Sequence, residues 1–118
     1  MSRLPTAYTE LVGVEHPIVQ EGMGPFNTAR LAAAVSEAGG LGTVSMPGMT
    51  LDPVEADRTI REQIAQAASL TDRPLAVNVP VGRDSTGNVL PVSAAYIGAV
   101  LAMRRSDSQL EGQLRVLT

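Results

Sequence analysis

Amide, glycine and methionine residues follow three short apolar segments of the chain, and their types suit the binding of a flat ring. Gln20, Gly22 and Met23 come at the end of the first segment, Met46 follows the second, and Asn78 ends the third. Methionine can pack on the face of a planar heteroaromatic ligand, and an amide can hydrogen-bond to its ring nitrogens and carbonyls. Such a set can bind and orient a ligand, but it supplies no acid and base pair.

Each of these residues also has a simpler interpretation. A methionine at the end of a strand commonly fills a gap in the upper core. Asn78 could instead satisfy backbone groups where its strand ends, as asparagine often does in turns. The residue types alone leave both interpretations open.

Other chemistry is poorly represented in the sequence. The chain has no cysteine, which excludes disulfides, thiolate metal sites and a thiol nucleophile. Its single histidine, His16, lies just before the first apolar segment, where a catalytic base is not expected. Asp52 and Glu55 are explained by helix capping. We therefore predict no catalytic residue and no metal site within the chain.

The apolar segments predict parallel strands separated by helices. Strands are expected near residues 18–20, 41–45, 75–79 and 115–118, and the middle two are nearly continuous apolar runs, which favours strands covered on both faces. This pattern indicates an α/β fold of the (β/α)8 TIM-barrel type with parallel strands. A closed barrel takes about 250 residues. We therefore expect residues 1–118 to form one incomplete domain, the N-terminal part with about strands one to four.

The first two predicted helices carry recognisable end signals. The first is expected from Thr28, as its N-cap, to Ala38, with Gly39 in a left-handed conformation after it. Its apolar stripe comprises Leu31, Ala34, Val35 and Ala38. The second follows the capping residues Asp52-Pro53-Val54-Glu55, in which Glu55 can reach back to the amide of Asp52. Its buried stripe comprises Ile60, Ile64 and Ala67 or Ala68.

The third helix and the loop before it complete the pattern. A helix is expected from near Ser93 toward Arg105, with a further turn or two within residues 106–113. The irregular stretch 80–91 follows the third strand, and in a barrel such loops lie on the catalytic face. The glycines of Gly39-Gly40-Leu41-Gly42 precede a strand, so they predict a helix end and a close-packed strand and not a phosphate loop.

The composition excludes several functional classes. The chain is 44% hydrophobic with a net charge of -3, and its 9 basic residues are scattered. With only 3 aromatic residues it offers neither a basic stripe nor a stacking surface for nucleic acid. Its first residues do not show the basic-then-apolar pattern of a signal sequence, and it contains no run of about 18 apolar residues that could span a bilayer. We expect a cytoplasmic protein that binds neither nucleic acid nor membrane.

Three segments closely resemble a known family. Residues 9–23, 31–42 and 71–79 resemble the nitronate monooxygenases, formerly called 2-nitropropane dioxygenases. The resemblance implies an FMN-dependent TIM barrel that oxidises small alkyl nitronates with dioxygen to a carbonyl compound and nitrite. It also implies that Gln20, Gly22 and Met23 pass along the flavin ring and that Asn78 hydrogen-bonds to it. The chain is similar as well to the flavin-dependent enoyl-acyl-carrier-protein reductases.

The chain departs from the family pattern in two ways. Small or proline residues are usual in the family where this chain has Glu21-Gly22, and a carboxylate beside a flavin would disfavour its anionic reduced form. The catalytic histidine and the flavin-phosphate loops of the family belong to later strands, and barrel phosphate sites typically follow strands seven and eight. We therefore expect residues 1–118 alone to be inactive.

Two functional hypotheses follow. In the first, the chain is the N-terminal part of a flavin oxidoreductase. In the second, it is a non-catalytic interaction module that buries an open sheet edge against a partner or another copy, as a homo-oligomer. The first is favoured because the polar residues at the strand ends resemble cofactor contacts.

Overall fold

The computed structural model describes residues 4–48 and 50–118, in which short parallel strands alternate with helices. In chain order the elements are α1 (Ala7–Val12), β1 (Val19–Gln20), α2 (Ala29–Glu37), β2 (Leu41–Val44), α3 (Pro53–Leu70), β3 (Leu75–Val77), α4 (Pro91–Ser106), α5 (Ser108–Gln113) and β4 (Leu114–Leu117). No helix in the described ranges is long and apolar enough to cross a membrane.

The strands of the described residues form one sheet in the order β1-β2-β3-β4, and all neighbours are parallel. Val19 pairs with Leu41, Val44 with Val77, and Val77 with Leu117. Sequential order with a helical crossover between parallel neighbours is the arrangement of the first four strands of a TIM barrel. The predicted fold class is confirmed.

The two faces of the sheet pack against different helices. On the outer face, Val44, Leu75 and Val77 join the core with Ile60 of α3 and Tyr96 of α4. On the inner face, Leu41 and Ala76 contact a smaller cluster that includes Val12 and Val14, in and just after α1. The short helix α1 thus covers part of the inner face at the amino ends of the strands.

Helix α1 was not predicted from the sequence. Thr6 caps it, since Thr9 N donates to Thr6 Oγ1 over 3.1 Å while Thr6 N donates to Thr9 Oγ1 over 2.8 Å. Gly13 ends the helix with φ +83. The paired threonines serve as a capping box without the usual glutamate or glutamine, so its sequence signal is weaker.

The predicted buried stripe of α2 is wrong. Leu31 is 43% exposed, whereas the buried side chains of the helix are small: Ala29, Ala32, Ala33 and Ser36. A Cβ on Gly42 of β2 would lie 1.9 Å from the carbonyl oxygen of Ala32. Helix and strand therefore approach so closely that only small residues fit between them, and the larger apolar residues turn outward.

The start and the buried stripe of α3 agree with the prediction. Asp52 Oδ1 accepts a hydrogen bond from Val54 N over 3.0 Å, and Ile60, Ile64 and Ala67 are fully buried. Glu55 does not reach the amide of Asp52 directly. Instead, Thr50 Oγ1 accepts from Asp52 N over 3.0 Å and donates to Glu55 Oε2 over 3.1 Å.

The remaining predicted elements are present with small shifts. Helix α4 begins at Pro91, slightly before Ser93, and α5 provides the expected turns. Strand β3 ends at Val77, so Asn78 lies one residue beyond it. Gly39 follows α2 with φ +99, which confirms the left-handed conformation expected there.

Candidate functional site

A groove of about 290 Å³ lies at the carboxyl ends of the strands. Its lining residues come from the segments that follow β1, β2 and β3: Gly22, Gly24, Pro25, Met46, Asn78 and Pro80. Within residues 4–48 and 50–118, no charged side chain lines the groove, and its walls are mainly backbone, proline rings and one thioether. TIM barrels place their active sites at the carboxyl ends of their strands, and the groove lies at that end of the sheet.

Gly22 and Asn78 meet directly in the groove. A Cβ on Gly22 would lie 2.6 Å from the Cβ of Asn78, so any larger residue at position 22 would displace the amide. Asn78 N donates to Val44 O over 2.8 Å, and Asn78 Nδ2 donates to Thr118 Oγ1 over 3.3 Å. Among the described residues no donor reaches Asn78 Oδ1, which leaves this oxygen available to a ligand.

Gln20, the first residue of the predicted set, has its amide engaged within the chain. Its Oε1 accepts from Thr43 N over 3.2 Å, and its Nε2 donates to Thr43 O over 3.2 Å and also to Glu21 O. The side chain thus replaces the backbone partner that β2 loses where β1 leaves the sheet. Gln20 therefore holds the first loop against β2 and does not line the groove.

Met23 also lies outside the groove lining. Its side chain is 44% exposed, and its backbone N–H donates to Ser45 Oγ over 3.3 Å. The structure thus places Gly22 and Asn78 together in the groove. Gln20 at the end of β1 and Met23 on the loop after it are not among the residues that line the groove. The sequence analysis also named Met46, which does line the groove, but it missed Gly24, Pro25 and Pro80.

Buried hydroxyl groups fix the first loop to the end of β2. Thr28 Oγ1 donates to Thr43 O over 3.2 Å, accepts from Ser45 N over 3.0 Å and lies 3.0 Å from Ser45 Oγ. Thr28 precedes α2 as predicted, but its hydroxyl does not cap the helix. Asn27 Oδ1 accepts from Ala29 N over 3.1 Å instead. The hydroxyl of Thr28 bonds to the backbone of β2 because, beyond the end of β1, the N–H and C=O groups on that side of β2 have no neighbouring strand to pair with.

Glu21, whose role the sequence left in doubt, is exposed on the first loop. Burial raises the pKa of Tyr8 in α1, and the Glu21 carboxylate raises that pKa further. Tyr8 packs against the small cluster on the inner face of the sheet, so the charge of Glu21 affects a side chain on that face. Glu21 is not among the residues that line the groove.

The histidine lies far from this groove in the fold. His16 N donates to Gly39 O over 2.9 Å, which places the residue beside the amino end of β2, and its ring approaches the Glu15 carboxylate at 4.0 Å. In the described part of the chain, no three His, Cys, Asp or Glu side chains are grouped to hold a metal ion.

The groove fits the ring system of a flavin but not its phosphate. Met46 and Pro80 offer apolar surface for a ring face, and Asn78 Oδ1 is a free acceptor for a ring N–H. A phosphate needs cationic side chains or several backbone N–H groups at a helix N-terminus. The lining residues supply no cationic side chain.

Comparisons with known proteins show which family the chain resembles. Residues 5–112 match the family described as nitronate monooxygenase. A probable nitronate monooxygenase of Staphylococcus saprophyticus is 35% identical over 109 residues, which is 92% of this chain and 28% of that protein. A (3aS,4S,5R,7aS)-5-hydroxy-7a-methyl-1-oxo-octahydro-1H-indene-4-carboxyl-CoA dehydrogenase of Mycobacterium tuberculosis is 42% identical over 86 residues, or 73% of this chain and 22% of that protein.

A solved structure shows the same fold. FabK from Thermotoga maritima superposes with a TM-score of 0.66 and 28% identity, covering 96% of this chain and 36% of that one. The chain therefore spans between about a fifth and two fifths of the relatives it matches. Since the family match covers nearly all of its residues, the chain belongs to the nitronate monooxygenase family.

Proposed function

We propose that this chain provides one side of an FMN site in an enzyme that oxidises alkyl nitronates with dioxygen, giving a carbonyl compound and nitrite. In this proposal, residues 1–118 form strands one to four of a flavin-binding TIM barrel. The observation that carries it is the uncharged groove in which Gly22, Met46 and Asn78 converge at the carboxyl ends of the strands. It is supported by the family match over residues 5–112.

Each groove residue has a distinct task in this proposal. Asn78 presents Oδ1 to a ring N–H and fixes the orientation of the ring, while Met46 and Pro80 pack against it and exclude water. Gly22 lets the first loop approach without a side chain that would displace Asn78. Gln20 and Met23 hold that loop against β2 through their hydrogen bonds to Thr43 and Ser45. FMN, when bound, supplies the electron transfer between nitronate and dioxygen.

No residue of the groove can move a proton in this reaction, since none of the lining side chains titrates. We therefore expect residues 1–118 alone to be inactive, as predicted from the sequence. Small molecules are the proposed substrates. A cytoplasmic location, the absence of nucleic-acid and membrane binding, and homo-oligomer formation stay predictions.

Two other activities are compatible with the same fold. The sequence identity of 42% to the Mycobacterium dehydrogenase favours, as a second candidate, the oxidation of a carboxyl-CoA thioester that carries a fused ring. Enoyl-acyl-carrier-protein reduction, the alternative named from the sequence, is also a flavin reaction. Nitronate oxidation and enoyl reduction share the expectation of a bound flavin.

One experiment separates nitronate oxidation from the second candidate. The purified full-length enzyme, in which these residues are part of a complete barrel, is expected to be yellow, to release FMN on denaturation, and to consume dioxygen and release nitrite when given propyl-1-nitronate. Rapid reduction of the flavin by a ring-bearing CoA thioester, without nitronate turnover, would favour the second candidate. A colourless protein that fails to bind added FMN would contradict the flavin proposal altogether.

A further inference from the structure

A second pocket, of about 440 Å³, adjoins the groove at the same end of the sheet, beyond the carboxyl ends of β2 and β3. It lies between the loop that follows β2 and the loop that follows β3, above the first turns of α4. Met46 and Pro80 line both the groove and this pocket. The two spaces are therefore neighbours, separated by the side chains of these two residues.

The walls of this pocket are almost entirely apolar. Leu51, Leu90 and Val92 contribute aliphatic side chains, and the buried Tyr96 contributes its ring. Burial raises the pKa of Tyr96, so its phenol stays neutral at physiological pH. In the part of the chain that the structure describes, no Asp, Glu, Lys or Arg lines the pocket. A charged ligand group would lose its hydration there without gaining a partner.

Of the three hydroxyl groups in the lining, those of Ser93 and Thr50 are already hydrogen-bonded, whereas the buried Tyr96 Oη has no hydrogen-bond partner among the described residues. Ser93 Oγ accepts from Gly82 N over 3.0 Å and donates to Pro80 O over 3.0 Å. Thr50 Oγ1 is bonded to Glu55 and to Asp52 N. These bonds fix the loops on both sides, so the pocket is formed before a ligand enters, and they leave mainly apolar surface inside it.

We propose that this pocket binds the apolar chain or ring of the substrate, and that the reacting end of the substrate extends from the pocket toward the ring held in the adjoining groove. The inference rests on the proposed function and names a substrate class for it, namely compounds with an alkyl or alicyclic group of several carbons. The volume falls within the range of about 300–1,000 Å³ that is typical of small-molecule sites. A small nitronate such as that of nitroethane would leave this pocket empty.

Straight-chain carboxylates test the inference, because a carboxylate resembles a nitronate in charge and in its two planar oxygens but is not oxidised. Butanoate, hexanoate and octanoate would be titrated into the purified protein by calorimetry. We expect affinity to rise about four-fold for each added methylene, since burying one contributes about 0.8 kcal/mol. An affinity independent of chain length would overturn the inference, whatever the variants do.

Matched leucine variants locate the effect. Leu90 lines this pocket, whereas Leu101 of α4 lines a separate cavity at the other end of that helix. Leu90→Phe should fill the pocket and lower the octanoate-to-butanoate affinity ratio about ten-fold, and Leu101→Phe should leave it unchanged. An unchanged ratio in Leu90→Phe, or an equal loss in Leu101→Phe, would place the chain elsewhere and overturn the inference.

The failure of the inference can be told apart from failure of the proposed function. FMN content and nitronate turnover are measured on the same preparations. Turnover with no chain-length dependence would leave the function standing and remove the pocket from it. Chain-length dependence that Leu90→Phe abolishes, in a protein without FMN, would support the pocket and contradict the flavin reaction. Binding of a protein partner at this face, blocked by Leu90→Phe while carboxylates bind without chain-length preference, would also overturn the inference.

Discussion

Asn78 is the residue on which the cofactor proposal most depends. Its amide packs on Gly22, donates one hydrogen bond of 3.3 Å to Thr118, and keeps Oδ1 free of donors from the described residues. A polar side chain at the end of a buried strand is accounted for if a ligand completes its hydrogen bonds. The simpler alternative is that Asn78 only ties β3 to β4.

Replacement of Asn78 by leucine separates these alternatives. Asn78→Leu has nearly the same size but cannot hydrogen-bond, and unpaired buried polar groups cost about 1–3 kcal/mol. We expect the FMN dissociation constant to rise about ten- to a hundred-fold. The melting temperature of the apo protein should stay close to that of the parent.

Thr118→Val is the control for this prediction, because it removes the hydroxyl that accepts from Asn78 and leaves the amide in place. It should change FMN affinity by less than about two-fold, which is below the net contribution of a typical hydrogen bond. If both variants lose affinity equally, or if Asn78→Leu is destabilised with unchanged affinity, Asn78 is a structural residue.

Some of the individual residues that line the groove could be predicted from the sequence. Gly22 and Asn78 were named because glycine backbone groups and amides at strand ends suit a planar ligand and because the family resemblance implies flavin contacts there, and the structure brings them together. Gln20 was placed on the ligand for the same reason, yet its amide bonds to Thr43. That outcome depends on where β1 leaves the sheet, which no local pattern encodes. Pro80 was missed because its contribution to the groove comes from its position in space and not from its chemistry.

Among the elements, the first loop depends on a small set of buried hydroxyls. Ser45 is fully buried, and its Oγ lies 3.3 Å from Met23 N and 3.0 Å from Thr28 Oγ1. The other polar contacts between this loop and the end of β2 are made by Gln20 and by the hydroxyl of Thr28. Ser45 therefore anchors the segment that carries Gly22.

Removal of this anchor should loosen the loop. Ser45→Ala leaves Met23 N without its partner, so we expect a loss of about 1–3 kcal/mol in the free energy of unfolding. Hydrogen exchange at Met23 N should become faster, and FMN should bind more weakly. Ser69→Ala removes an exposed hydroxyl that bonds only within α3, and should stay within about 0.5 kcal/mol of the parent. An unchanged exchange rate at Met23 in Ser45→Ala would contradict the anchoring role.

The elements themselves were largely predictable, and the errors have physical causes. The start of α3 was predicted because Asp52 and Pro53 are strong local signals, and the capping bond is present. The buried face of α2 was predicted wrongly because periodicity favours large apolar residues. The close approach of Ala32 to Gly42 instead requires small ones. The short distance between α2 and β2 determines which side chains of α2 are buried, and the sequence of the helix alone does not encode that distance.

At the scale of the whole molecule, the sheet has two unpaired edges within the described residues. Strand β1 lies at one edge and β4 at the other, and each presents backbone N–H and C=O groups without a neighbouring strand. A cavity of about 260 Å³ between β4 and α4, lined by Val100, Leu101 and Val116, adjoins the second edge. In a closed barrel such edges and cavities are covered by further strands and helices.

A polypeptide limited to residues 1–118 should therefore associate through the β4 edge. Leu117 is 45% exposed there, and an exposed apolar edge strand is a template for pairing with another chain. Sedimentation of this polypeptide is expected to show a mass that rises with concentration. Leu117→Lys should reduce the association, because a charged side chain on an edge strand opposes pairing. Leu70→Lys, an equally exposed leucine at the end of α3, should leave it unchanged. A polypeptide that stays monomeric at all concentrations, or one in which both variants act alike, would contradict both the edge argument and the interaction-module hypothesis.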